Sequence, residues 1–270
     1  MREIGCCTWI FGDTSLEDVA MRASRAGMDG VEVAGDIETI DPVRAKGIFA
    51  DAGLKVFSIT PADADISHPD TRIRQAALAY YDQLMDFAVA LGSPRIACHG
   101  QVARIKPITS QEEEDALLID AVRQVCRFAA SRGIEVVFEI LNRYETHQVR
   151  TIAEGQALLG AVNAPNLKLL PDAYHMNIEE ADPATALRQG GADIGLYHAA
   201  DSNRCGLGEG HIAFEPQMRA LDAIGYTGPI IVETNAPGPN PFTPNKGEGV
   251  STIVEAQLAR SLAVLRALGT

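Results

Sequence analysis

Four apolar runs in the latter part of the chain close on a side chain able to bind a cation. IEVVFEI carries Glu139, LKLLP is followed by Asp172, IGLYH ends in His198, and PIIV is followed by Glu233. Any one of these has an ordinary explanation, since a buried histidine is usually a satisfied core residue and an acid after a strand can cap the next helix. As a group they need another. Three carboxylates gathered at one end of a fold repel one another and lose hydration unless a cation neutralises them. Three oxygen donors and one imidazole form a harder set than a structural zinc site, suited to Mn²⁺, Mg²⁺, Co²⁺ or Fe²⁺. Such a set leaves coordination positions open, which a catalytic ion needs if two substrate oxygens are to chelate it.

Further polar groups follow the same runs. Glu145 and His147 lie in LNRYETH, His175 stands three residues past Asp172, and Arg204 and His211 lie in HAADSNRCGLGEGH. Gly206, Gly208 and Gly210 in that segment allow a tight path, and a phosphate cradle is disfavoured because Glu209, not a lysine or arginine, lies among them. His99 ends an earlier run, RIACH (95–99), the fourth along the whole chain, and reads equally as a substrate contact or a core residue. Trp9, the only tryptophan, ends the first and is expected to form an apolar wall; Glu32 on the second run is similarly placed. Five cysteines (Cys6, Cys7, Cys98, Cys126 and Cys205) without CxxC spacing point to reduced thiols.

The elements that must position these groups repeat a single beat of short apolar strand and amphipathic helix. EIGCCTW (3–9), GVEVA (30–34), LKVFSIT (54–60) and RIACH (95–99) precede the four runs above. Helices are expected over about 16–28, around DPVRAKGIFADAG, over about 72–91 and 111–131, in TIAEGQALLGAV, PATALRQG and FEPQMRALDAIG, and over about 250–268. Ser15 or Thr14 and then Asp41 are the expected N-caps of the first two. Eight such units in 270 residues predict an α/β protein of (β/α)8 TIM-barrel type, one catalytic domain over residues 1–270. No GxGxxG or GxxxxGK[ST] supports an open nucleotide-binding sheet instead. In a barrel the site gathers at the C-terminal strand ends, where the four candidate ligands fall.

Composition narrows the function. With 46% hydrophobic and 22% charged residues the chain can build a large core without metal or disulfide staples. A net charge of −13 disfavours nucleic acid and an anionic membrane surface as partners. The N-terminus lacks the apolar segment of a signal peptide and no run reaches the length of a membrane helix, so a cytoplasmic protein is expected.

LNRYETH, DAYHMNIEE, HAADSNRCGLGEGH and VETN resemble the xylose isomerase-like barrels of the sugar epimerase and isomerase superfamily. The likeness is strongest to the ketose 3-epimerases of the D-tagatose and D-psicose group. The resemblance implies Glu139, Asp172, His198 and Glu233 as ligands of a divalent metal, Mn²⁺ in the first place with Mg²⁺ or Co²⁺ next. It also implies Glu139 and Glu233 as the acid/base pair, and Glu145, His175 and Arg204 as holders of the substrate's carbonyl end. A small sugar substrate and a homo-oligomer, dimer or tetramer, are expected from the same likeness. CHGQVAR after the fourth run, Pro171 and GEGH depart from the ketohexose enzymes, so the sugar itself is not implied.

The expected chemistry is proton transfer through a metal-stabilised cis-enediolate, giving epimerisation or aldose–ketose isomerisation of a non-phosphorylated sugar. Two rivals remain open at this stage. One is a lyase or deglycosylase acting on 3-keto-glycosides by β-elimination, and the other is a barrel that binds sugar without turnover.

Overall fold

The computed structural model describes residues 1–236, 243 and 246–270. Parallel strands β1 (Ile4–Cys7), β2 (Gly30–Ala34), β3 (Lys55–Thr60), β4 (Arg95–Cys98), β5 (Glu135–Ile140), β6 (Leu167–Pro171), β7 (Tyr197–Ala199) and β8 (Ile230–Val232) form the wall of a barrel. Around it run helices α1 (Leu16–Arg25), α2 (Pro42–Asp51), α3 (Thr71–Leu91), α4 (Gln111–Ala130), α5 (Ile152–Val162), α6 (Ala173–Glu179), α7 (Pro183–Gly190), α8 (Phe214–Ala223) and α9 (Val250–Ala267). The expected (β/α)8 fold is therefore the observed one.

Local chemistry accounts for these elements. The strands are rich in Val, Ile and Leu and almost wholly buried, as enclosed parallel strands must be. Helices begin where a short polar side chain satisfies a free amide: Ser15 accepts from Asp18, Asp41 from Val43 and Arg44, Ser110 from Glu113, and Thr151 from Glu154. Gly92, with φ of 84°, supplies the left-handed cap that ends α3.

Hydrogen bonding divides the ring into two arcs, β3-β2-β1-β8-β7 and β4-β5-β6. The first is continuous across the chain ends, with Ile4 of β1 opposite Ile230 of β8. The arcs meet at two looser seams. Between β3 and β4, Arg95 Nη1 donates to the Phe57 carbonyl at 3.1 Å. Between β6 and β7, the amides of Gly195 and Leu196 share the Leu169 carbonyl at 2.9 and 3.3 Å, and isolated bridges pair Leu169 with Ile194 and Asp172 with His198.

Three expectations change. The seventh strand is Tyr197–Ala199 rather than 194–198: over 194–196 the chain joins β6 only through the Leu169 carbonyl and one isolated bridge, and its ladder with β8 starts at Tyr197. Trp9 is not on β1, which ends at Cys7; it starts a 3₁₀ turn, Trp9–Phe11, above the strand. And α6 follows β6 at once, a seven-residue helix too short to leave a periodic signal in DAYHMNIEE.

Candidate active site

Each of the four strand-end candidates arrives at the barrel mouth by a different local route. Glu139 is the penultimate residue of β5 and His198 the middle residue of β7, while Asp172 and Glu233 stand one residue beyond β6 and β8. All four are buried, and one ligand atom from each falls within 4.8 Å of the others. His198 Nδ1 lies 3.3 Å from Glu233 Oε2 and 3.7 Å from Glu139 Oε1. Asp172 divides its carboxylate: Oδ1 accepts from the Tyr174 amide at 2.6 Å and caps α6, while Oδ2 is buried without a hydrogen-bond partner. Glu233 divides likewise, with Oε1 accepting from Arg204 Nη2 at 3.0 Å and Oε2 left without a donor.

The surrounding groups are held from several loops. Arg204 spans two acids, with Nη1 3.4 Å from Glu145 Oε1 and Nη2 on Glu233, and its guanidinium stacks 4.7 Å from the centre of the Tyr174 ring. Its backbone is left-handed, φ 59°, a strained conformation for a long side chain. Two neighbours hold it there: the Arg204 amide donates to the Asp201 carbonyl at 2.8 Å, and Asn235 donates to the Arg204 carbonyl at 2.6 Å. The glycine segment wraps Asp201, whose carboxylate accepts from the amides of Ser202, Gly208 and Ile212. Those amides point inward to an acid and present no phosphate cradle.

His175 is completely buried, and Asn142 fixes its tautomer. The Asn142 amide lies 3.1 Å and its side-chain nitrogen 2.8 Å from Nδ1, so Nδ1 accepts and Nε2 carries the proton. That Nε2 is buried, unpartnered and 3.9 Å from Asp172 Oδ2. Asn142 received no role from the sequence; its position three residues before Glu145 was the one available sign.

Burial and neighbours drive the carboxylates apart. Burial holds Glu139 well above the usual carboxylate range, reinforced by Glu233 and Asp172. Glu233 is as deeply buried, but Arg204 and His198 outweigh that and hold it well below. Asp172, raised by burial and by Glu233, is pushed up to about 7. Burial, with Arg204 nearby, keeps His175 neutral.

The unpartnered Asp172 Oδ2, Glu233 Oε2 and His198 Nδ1, converging with a Glu139 that no donor reaches among the described residues, fit a divalent cation. A cation at this point would satisfy buried acceptors that otherwise have no donor. Two members of the cluster, Glu139 and Glu233, line a pocket of about 300 Å³ that also presents Trp9, His99, Pro61, Leu141, Glu145 and Arg204, while Asp172 and His198 are wholly buried and do not line it. His99 Nδ1 donates to the Gly100 carbonyl at 2.7 Å, and half-buried Trp9 lines the same pocket with an apolar face. Of the other histidines, His147 is turned away onto Arg104 at 3.0 Å and His211 onto Ser202 at 2.9 Å, so neither joins the cluster.

Comparison with known proteins assigns this parallel barrel to a family. The chain belongs to the xylose isomerase-like TIM barrel family, whose family model matches residues 21–268. It is 32% identical over 250 residues to the L-ribulose 3-epimerase of Methylomonas sp., a match covering 91% of this chain and 82% of that one. To the D-psicose 3-epimerase of Agrobacterium fabrum it is 30% identical, over 78% of this chain and 76% of the relative. A solved L-ribulose 3-epimerase superposes with a TM-score of 0.88 at 26% identity, covering 99% of this chain and 94% of that one. These relatives are epimerases, hence isomerase-class enzymes, as the resemblance of the second-half motifs implied.

Proposed function

We propose that the chain is a divalent-cation-dependent epimerase of a non-phosphorylated ketose, acting on the carbon beside the ketone. The observation that carries this reading is the convergence of Glu139, Asp172, His198 and Glu233 within 4.8 Å, with Glu139 and Glu233 lining the mouth pocket. A cation held by those four, Mn²⁺ first and Mg²⁺ or Co²⁺ next, supplies Lewis acidity to a substrate carbonyl and its neighbouring hydroxyl.

The residues do the rest. The proton beside a ketone is too weakly acidic for a carboxylate in water, so charge developing on the carbonyl oxygen must meet donors already in place. His175 Nε2–H and the Arg204 guanidinium are such donors, each contributing roughly 3 kcal/mol. Glu233, ionised, takes the proton from one face of the carbon. Glu139, protonated, returns one to the other face, and the roles reverse for the opposite epimer. Glu145 orients Arg204 and meets a substrate hydroxyl; Trp9 closes the pocket against water, and His99 offers a further contact.

The test is a panel of ketoses of four to six carbons incubated with Mn²⁺ in deuterated water and read by NMR. Epimer formation with deuterium entering at C3, abolished by chelation and restored by metal, is the expected result. Undiminished turnover after chelation overturns the proposal, as does release of the C1 substituent from 3-keto-glycosides with no ketose turned over. Sedimentation of the same sample reads the dimer or tetramer proposed from the family likeness.

A further inference from the structure

Across the barrel from the four-ligand cluster, Glu32 sits at the centre of β2 with no exposure to solvent. No feature of the proposed proton transfer uses it, yet an ionised carboxylate in such a place is costly unless it is paired and hydrogen-bonded. Its partners come from both neighbouring strands. The hydroxyls of Ser58 and Thr60 on β3 donate to Oε2 and Oε1, and Cys7 Sγ on β1 lies 3.8 Å from Oε1. The remaining neighbour is His198, whose Nε2 stands 3.1 Å from Glu32 Oε1, within ion-pair distance although not aligned as a hydrogen bond.

The β2–β3 ladder is irregular at this one place. Val31 pairs with Val56 but Glu32 pairs with Ser58, so Phe57 is passed over and Ser58 and Thr60 both come to the carboxylate. Irregularities of this kind re-aim side chains beside active sites.

We propose that Glu32 is a positioning residue for His198, holding Nε2–H so that the Nδ1 lone pair enters the Glu139–Asp172–Glu233 cluster. The inference rests on the metal-dependent reading above. A ring nitrogen that ligates a metal is oriented by what the other nitrogen donates to, and loss of such an outer partner commonly weakens metal binding about 10–100-fold. Here the ring faces acids on both sides, Glu32 through Nε2 and Glu233 and Glu139 through Nδ1. Glu32 therefore sets which nitrogen is committed to its proton. Cys7, Glu32 and His198 also lie close enough to hold an ion of their own. The hydroxyl donors already engaged on Glu32 favour the positioning role over that one.

The experiment measures Mn²⁺ binding to the metal-free full-length protein by calorimetry for wild type and Glu32→Gln, with circular dichroism as the control for folding. One ion per chain is expected in both, bound roughly 10–100-fold more weakly by Glu32→Gln. Nitrogen-15 spectra of histidine-labelled protein loaded with Mg²⁺ should show His198 as a single Nε2–H tautomer in wild type and a mixed population in the variant. Should Glu32→Gln fail to fold, the Ser58→Ala/Thr60→Ala double variant replaces it, with a smaller loss in the same direction expected. Affinity within twofold of wild type in a folded variant overturns the inference, and so does a second ion whose binding is lost with Glu32. A wild type that binds one ion in a Glu32-dependent way but turns over no ketose refutes the proposed function and leaves this inference standing. A wild type that binds no divalent ion overturns both.

Discussion

Asp172 carries two roles on two oxygens, one capping α6 and one facing the cluster. The two can be separated by substitution. Asparagine caps a helix about as well as aspartate, so Asp172→Asn should keep the stability of the metal-free protein within about 1 kcal/mol while losing cation affinity. Asp172→Ala should lose both, which thermal melts and calorimetric titration of the two variants will distinguish. Glu139 caps no helix, and Glu139→Gln should lower kcat by about 10²–10⁴ with weakened cation binding and an unchanged circular dichroism spectrum. Glu139, Asp172, His198 and Glu233 were legible in the sequence because each interrupts or ends an apolar run where burial penalises a charge. Glu32 interrupts an apolar run in the same way and is equally visible there, but its partner His198 on β7 was not legible, and neither was Asn142, which is marked only by His175 on α6.

The elements that present these residues are tied together outside the pocket by Arg104, on the loop after β4. Its guanidinium meets Asp65 and Ser67 from the loop after β3 at 2.9 and 2.8 Å, His147 from the loop after β5 at 3.0 Å, and Glu114 of α4. Glu114 is fully buried and also accepts from the amides of Ile108 and Thr109. Removing Glu114 leaves Arg104 with Asp65 as its remaining acid and strips the Ile108 and Thr109 amides of their acceptor, so Glu114→Leu should destabilise the fold by about 1–3 kcal/mol in urea unfolding. The pH dependence has a definite sign. Against the effect of burial, the Thr109 amide and Arg104 depress the Glu114 carboxyl in the folded protein. Its contribution is therefore present above the unfolded carboxylate pKa of about 4.3 and lost as pH falls through the folded value. The stability gap between wild type and variant should hold from pH 5 to 8 and narrow below about pH 4. The strand–helix beat was readable because it depends only on local periodicity and caps. The Arg104 clamp was not readable, since it joins residues from three separate loops and a helix.

At the scale of the whole molecule, the acidic balance and eight repeated units anticipated the barrel and argued against nucleic acid, and no described helix is long and apolar enough to cross a membrane. Binding energy at the mouth should be felt throughout such a closed ring. Mn²⁺ at 100 times its dissociation constant should add about 2.7 kcal/mol and raise the melting temperature by roughly 5–10 °C, read by scanning calorimetry with and without chelator.

The loose seam between β6 and β7 places that stabilisation more closely. Glu139 and Asp172 belong to the arc β4-β5-β6, and His198 and Glu233 to the arc that ends β8-β7. An ion gripped by all four is a rivet through two plates that are otherwise joined at this edge by a shared carbonyl and two isolated bridges. Amide hydrogen exchange should therefore slow on adding Mn²⁺ most strongly along β6 and β7, and least on the β1–β2 side. The same ion that activates a sugar's carbonyl would then also be the fastener that keeps the barrel shut around it.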